Sequence, residues 1–559
     1  MNFNRSTVMK RSLLLLFAAL LSLTGQAHAA DTVVVVSSQG RHPLERMAVE
    51  EVTRQLQQLF GVKVSSQREF RSETRPAKFS VEIGTQDQAA NRGRRLGSEG
   101  HALRTMKTAD RTTLRLTGGS PLATYWAAIE FGEHFGVRRL LHADFQPLNK
   151  PDFNLDGVRL KFSPQFKTRA WRTMGISPAS QLSWSLEEHK LRLRQLVKLK
   201  FNHLIIPLQT WQPFVRLKSA NGKQRASKLW NHPVLRVDGE TAGRAAFGRE
   251  PTFTNPELRD AKSDSQRTDA GIKLVRAIIS EAKLLGMNVT IECEAPDSVL
   301  IQVKHTYPGA DEVVSTVELP TIQIGNIDRN VLPHFDLKHA HAAITELRRA
   351  RMSGFVVECQ LPDDFNTSAY YLARTGFDAQ MTPKRAVDEL VTPICGEVSK
   401  RIAIGFDHLA KAANLIYEHN PAIATPGDDV IMRHYNNEPV PEWWGEAKTG
   451  FIMAMNEMYR ANTRARGGAR AYSLYLAKKF EFALHYFTVL ESVRAAGIGK
   501  SEKDKDAQLE GLDKAVEAMH NALSAIADVD RNNGDRGIIA LLNEYGFRPL
   551  IKELESADN

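Results

Sequence analysis

The stretch Ser185–Trp211, SLEEHKLRLRQLVKLKFNHLIIPLQTW, carries a helix and a strand in direct succession and sets the reading of the whole middle of the chain. Ser185 is an N-cap residue, and Glu187 and Glu188 fall in the first turn, where the helix dipole favours negative charge. The run from Ser185 to Lys200 is amphipathic. Phe201–Leu208 is a short apolar run of strand type.

The same alternation extends to both sides. Thr168–Ile176 is a candidate first strand. A polar insertion rich in Gly, Asn and charge runs from Arg216 to Arg267. Asp269–Leu285 is then a helix stopped by Gly286, Asn288–Glu294 a strand, Pro320–Ile327 another, His339–Arg351 a helix and Gly354–Gln360 a strand. Strands alternating with helices predict parallel pairing and a TIM-like (β/α) barrel over residues 161–380. A complete barrel uses about 250 residues and eight strands. Here five or six strands are visible, and only 24 residues separate Ala295 from Pro320. Either the barrel is incomplete or further strands lie within the insertion.

Upstream, residues 31–160 read as a small α/β domain. Thr32–Ser37 and Thr112–Thr117 are strands, and Phe79, Val81 and Ile83 alternate with polar residues in another. Glu45–Phe60 is a helix with Gly61 as its stop. Gly118-Gly119-Ser120 turns into a helix from Pro121 to Phe135. That turn reads as a simple turn and not as a phosphate loop, because no Lys follows at the P-loop position. Downstream, residues 381–559 read as an all-α domain that opens at Thr382-Pro383. Its long amphipathic segments lie near 384–417, 446–465, 470–496 and 502–530. Trp443 and Trp444, in HYNNEPVPEWWG, read as a hydrophobic plug in preference to a sugar platform.

The N-terminus reads as a signal peptide over residues 1–30. Lys10 and Arg11 are followed by the apolar run Ser12–Leu23 and the small-x-small site Ala27-His28-Ala29. The mature chain is expected to be periplasmic or extracellular, with no stable membrane insertion after cleavage. The formal charge of +10 would fit an acidic polysaccharide, but scattered solvated surface charge is the stronger reading; export argues against nucleic acid. Three cysteines, Cys293, Cys359 and Cys395, have no framework or metal spacing and are expected to be buried thiols. His339 and His341 diverge on their helix, and HExxH, CxxC, a calcium loop and G-x-S-x-G are all absent. No metal or cofactor is expected.

Barrel chemistry sits at the C-terminal ends of strands. In VTIECEAPD, Glu292 and Glu294 share a face by strand alternation. In FVVECQLPDD, Glu358 shares a face with Gln360, and Asp363 and Asp364 follow. Glycoside hydrolysis needs two carboxylates roughly 5–9.5 Å apart, and crowding raises the pKa of one of them, as a general acid requires. Glu292, Glu294 and Glu358 are therefore the candidate catalytic residues, with ion pairing inside the barrel as the structural alternative. Arg172 is a candidate grip for a uronate carboxylate, Trp211 a candidate stacking surface, and Asp363 and Asp364 candidate substrate-binding groups.

ERMAVEEVTRQLQQLFGVKV resembles the first helix of the small domain that precedes the barrel in α-glucuronidases and β-hexosaminidases, and LTGGSPLATYWAAIEFGEHFGVRRL its closing strand–turn–helix. FKTRAWRTMGI, KLKFNHLIIPLQTW and AKLLGMNVTIECEAP resemble the first three barrel strands, and SGFVVECQLPDDFNTSAYYLARTGFDAQMTP the last. The resemblance implies a glycoside hydrolase, and it makes Arg169 similar to the sugar-binding arginine of hexosaminidase-like first strands. The families' catalytic motifs after the fourth, sixth and seventh strands have no residue-by-residue match here. The expected activity is exported hydrolysis of uronic-acid-bearing glycans. The alternatives are a non-catalytic carbohydrate-binding or structural protein with a degenerate barrel, and a polysaccharide lyase.

Overall fold

The computed structural model describes residues 32–38, 40–67, 78–86, 96–217, 227–230, 234–324, 331–333, 335, 337–359, 365–419, 423, 427 and 429–559. The expected signal peptide lies outside the described residues, as do Asp363 and Asp364. The chain divides into two compact units, one of residues up to 138 with 149–164, the other of 139–148 with 165–559.

The first unit is a mixed sheet with two helices. Its elements are β1 (Val33–Ser38), α1 (Pro43–Phe60), β2 (Lys63–Gln67), β3 (Phe79–Thr85), β4 (His101–Lys107), β5 (Thr112–Gly118), α2 (Pro121–His134) and β6 (Arg159–Phe162). The six strands lie in the order β2-β1-β3-β5-β4-β6, with β4 antiparallel to both its neighbours and the other pairs parallel. His42 and Glu45 cap α1 reciprocally, and Gly61 ends it at φ 67°. Leu44, Ala48, Val52, Leu56 and Leu59 form its buried stripe. The Gly-Gly-Ser turn is explained by packing. A Cβ on Gly118 would stand 2.0 Å from the Thr124 nitrogen, and the Ser120 hydroxyl is taken up in accepting the Ala123 N–H.

The second unit holds both the barrel-like segment and the C-terminal helices. Its first part runs β7 (Thr168–Arg172), α3 (Leu186–Lys198), β8 (His203–Pro207), α4 (Asp264–Leu284), β9 (Asn288–Glu292), α5 (Asp297–Thr306), β10 (Glu312–Val314), β11 (Thr321–Gln323), α6 (Leu337–Arg349) and β12 (Gly354–Glu358). The six strands are ordered β10-β9-β8-β7-β12-β11, and all five pairings are parallel. The first and last strands, β7 and β12, are neighbours, as they are in a closed barrel.

The described residues do not close that barrel. Helix α5 fits within the short span after Ala295, so β9 and β10 form an ordinary crossover pair. β10 and β11, in contrast, are joined by residues 315–320 alone. A parallel crossover needs a dozen or more residues, so these two strands remain the sheet's edges. The link is used differently: its Val317 and Leu319 pack on the inner residues Ala170, Ile205 and Val356. Within its described residues the only strands of the insertion are the antiparallel pair Leu235–Arg236 and Thr252–Phe253, which is separate from the main sheet.

Trp171, Leu204, Ile206, Val289, Ile291, Phe355 and Val357 line the outer face of the sheet and are fully buried. Burial on both faces is what parallel sheets require, and each such side chain contributes roughly 1.5–3 kcal/mol. The helices α7 (Asn366–Thr375), α8 (Pro383–Cys395), α9 (Ser399–His419), α10 (Glu442–Asn462), α11 (Gly468–Glu502), α12 (Lys505–Ala527), α13 (Asn533–Leu542) and α14 (Arg548–Asp558) complete the unit, with a π-turn at Asn543–Phe547 between the last two. Trp444 is buried against His434, Phe487 and the Arg494 guanidinium, so it acts as a plug. Trp443 stacks on His419.

Candidate functional site

Strand alternation divides β7 between two environments. Ala170 and Arg172 face inward, while Arg169 and Trp171 face outward. Register carries the inner row across the sheet, since Arg172 pairs with Glu358 on one side and Ile205 on the other, and Pro207 pairs with Glu292. At the C-terminal ends of three strands this places one guanidinium between two carboxylates. Arg172 Nη2 lies 3.0 Å from Glu292 Oε2, and Nη1 lies 3.5 Å from Glu358 Oε2. The side chains are 19%, 13% and 26% exposed respectively, so all three reach solvent without being free in it. Arg172 Nε is buried and has no hydrogen-bond partner among the described residues.

The link that replaces a crossover also reaches this point. The Val317 N–H donates to Glu292 Oε1 at 2.9 Å. Glu292 is thus fixed by a cation and a backbone amide, and Glu358 by the longer arginine contact. The positive charge of Arg172 lies between the two carboxylates that strand position brings together. Directly after β7, Met174 and Gly175 both adopt positive φ, 76° and 75°. A fully buried methionine in the left-handed region carries backbone strain. The Ser180 hydroxyl donates to its carbonyl and helps hold this turn beside the cluster.

Deeper on the inner face, His203 Nε2 lies 2.8 Å from Thr290 Oγ1. Burial lowers the pKa of His203, with Glu312 and Asp311 opposing. These two residues share the alternation of Ile205 and Glu292, and that phase was the signal by which the sequence reading could have found them.

The other expected site residues are placed as follows. Glu294 lies beyond the end of β9, is exposed, and makes no hydrogen bond or ion pair among the described residues. It does not join Glu292 and Glu358. Arg169 is buried on the opposite face, where its Nε and Nη1 donate to the carbonyls of Lys200 and Phe166 and its guanidinium lies over Phe377. The structure therefore does not bring it to the strand ends. Trp211 sits half-buried in the turn after β8. Cys293, Cys359 and Cys395 are buried and form no disulfide among the described residues. Among the described residues no group of three or more His, Cys, Asp or Glu side chains is placed to hold a metal ion, and no helix is long and apolar enough to cross a membrane.

No family model matches the chain, and no curated protein matches it. Among solved structures it is similar to a GH138 enzyme targeting pectin rhamnogalacturonan II, at 9% identity and a TM-score of 0.47 over 94% of this chain and 80% of that one. It is similar to the same degree, TM-score 0.47 and 10% identity over 92% and 74%, to a Clostridium perfringens family 89 glycoside hydrolase in complex with GlcNAc-α-1,4-galactose. A Thermobaculum terrenum O-GlcNAc hydrolase is similar at 12% identity and a TM-score of 0.20, over 70% of this chain and 81% of that one. Likenesses of this size fix neither the site nor the activity of this chain.

Proposed function

We propose that the protein is an exported glycoside hydrolase acting on uronic-acid-bearing glycans, with Glu292 and Glu358 as its carboxylate pair. The observation that supports this is the convergence of the two glutamates, from separate strands, on Arg172 at the C-terminal ends of a parallel sheet, where barrel-type folds place their chemistry. Arg172 can exchange a glutamate contact for the carboxylate of a uronate, because a guanidinium offers several donors in a fixed fork. A glutamate displaced from the arginine could take up a proton from water and, as the carboxylic acid, deliver it to the glycosidic oxygen, with the other carboxylate serving as nucleophile or base.

A second reading rests on a specific observation. Glu292 is held by both Arg172 and the Val317 amide, as suits a carboxylate that braces the sheet and not one that reacts. On that reading the protein binds carbohydrate without cleaving it. The two are separated by incubating the mature chain, residues 31–559, with uronate-decorated and hexosamine-containing oligosaccharides and following products by chromatography. Sugar release from uronate-bearing substrates supports the hydrolase; unchanged oligosaccharides in the presence of folded protein support the binding protein. Export is tested by N-terminal sequencing of protein recovered from outside the cytoplasm, which is expected to begin at or near Asp31.

A further inference from the structure

The sheet of the first unit distributes its charge unevenly. Its strands carry Lys63, Arg104, Lys107, Arg115, Arg159 and Lys161 against one carboxylate, Glu82. Alternation sends the fully buried Leu103, Leu114 and Leu116 to one face and Arg104 and Arg115 to the other. Register then lines the charges up. Glu82 pairs with Arg115, Arg115 with Arg104, and Arg104 with Arg159, on the neighbouring strands β3, β5, β4 and β6. Three arginines therefore stand side by side across roughly 10 Å of sheet. Lys161, two residues beyond Arg159, shares their face.

Arg104, Arg159 and Lys161 are exposed, and none of them makes a hydrogen bond or ion pair among the described residues. The carboxylates nearest in the fold are engaged elsewhere. Glu82 is held by Arg115, whose Nε and Nη2 donate to Glu82 Oε2 at 3.0 and 2.7 Å, and Asp156 by Lys107 at 2.5 Å. Residues 68–77 and 87–95, which lie outside the described residues, carry six arginines against Glu69, Glu73 and Asp87. They therefore supply no surplus of negative charge. Like charges directly opposite one another destabilise a strand pair, and an anionic chain laid across the row offsets that repulsion.

The character of the face selects among anionic partners. The residues between the charges are Ser80, Ala102, Met106, Thr113 and Thr117, and the strands place no aromatic ring there. Bases have no platform on which to stack, and the aromatic, charge-poor centre of a protein interface is missing. The Arg115–Glu82 pair at the end of the row shows the group that these guanidinium forks take, a carboxylate.

We infer that this open sheet face binds a polyuronate chain, whose successive carboxylates are taken by Arg104, Arg159 and Lys161. The inference does not depend on Glu292 or Glu358 being catalytic. A single exposed ion pair changes affinity by no more than about five-fold, so the face acts through repetition, and salt weakens it.

The test is calorimetric titration of the mature chain with polygalacturonate, dextran sulfate, neutral dextran and a single-stranded oligonucleotide, at about 0.05 and 0.3 M salt. Wild type is compared with Arg104→Thr/Arg159→Thr and with Lys262→Ser/Lys273→Ser, which removes the same charge from exposed positions of the second unit. Each variant is checked for a wild-type circular dichroism spectrum. The expected result is salt-sensitive binding of polygalacturonate and none of dextran, weakened at least about five-fold in the arginine variant and less than two-fold in the lysine variant. No binding of polygalacturonate, equal losses in the two variants, or unchanged binding in the arginine variant overturns the inference. Tighter binding of dextran sulfate or of the oligonucleotide, lost in the arginine variant, overturns the polyuronate assignment. If the double arginine variant does not fold, Arg159→Thr on the edge strand decides: weaker binding is expected, and unchanged binding refutes the assignment.

Discussion

Arg172→Met keeps the aliphatic stem of the side chain and removes the cation between Glu292 and Glu358. Glu292 loses contacts at 3.0 and 3.2 Å and Glu358 one at 3.5 Å. A hydrogen bond to a charged group contributes about 1.5–3 kcal/mol; the partial exposure of both carboxylates and the length of the second contact reduce the sum. A loss of about 2–4 kcal/mol at pH 7 is expected, within the range for removing one partner of a partly buried ion pair. The assay is urea unfolding followed by tryptophan fluorescence at pH 7. A midpoint equal to wild type would refute the ion-pair account of this cluster.

Asp535→Ala removes the carboxylate 3.2 Å from the buried Lys479 ammonium and is expected to cost about 1.5–3 kcal/mol in urea unfolding. The double variant Lys479→Met/Asp535→Leu should recover most of that. His434 is buried beside Trp444, and burial, with Arg433 and Arg494 adding to it and Asp429 opposing, lowers its pKa to about 4. Below its unfolded value of 6.5 the unfolded chain takes up a proton that the native state refuses, so stability falls between pH 6.5 and about 4, by at most about 1.4 kcal/mol per pH unit. His434→Gln should flatten this slope in part, because His189, lowered by burial to about 3, titrates the same way; an unchanged slope counts against it. A Cβ on Gly537 would stand 2.0 Å from the Pro178 carbonyl oxygen. Gly537→Ala should therefore push α13 off the loop after β7 at a cost of about 1–3 kcal/mol, read as faster amide exchange in α13.

The helices were legible because their ends carry local chemistry. Ser185 and Glu188 form the capping box of α3, and Gly61 closes α1 in the left-handed region. The short strands were not. β10 has three residues, too few to show a period, and β4 mixes Arg104 and Lys107 into its alternation. The direct link between β10 and β11 left no helical pattern to read, and its packing on the inner face emerges only in three dimensions. Arg172, Glu292 and Glu358 could be selected because strand-end position and phase are sequence properties. The same phase argument separates Arg169 from Arg172, three residues apart and so on opposite faces, and weighs against the family-based expectation for Arg169. The pair of Lys479 and Asp535 joins α11 to α13 across more than fifty residues, and no local pattern signals such a contact.

The most direct test of the proposed function is kcat/KM of Glu292→Gln and Glu358→Gln on the best uronate-bearing substrate, beside Glu294→Gln and with folding verified for each. Positioned acid–base groups contribute about 10²–10⁴-fold. The account predicts losses of that order for Glu292→Gln and Glu358→Gln, and activity within a few-fold of wild type for Glu294→Gln, whose side chain stands apart in solvent. Activity within a few-fold of wild type in both Glu292→Gln and Glu358→Gln would contradict it and leave the cluster as a brace between strands.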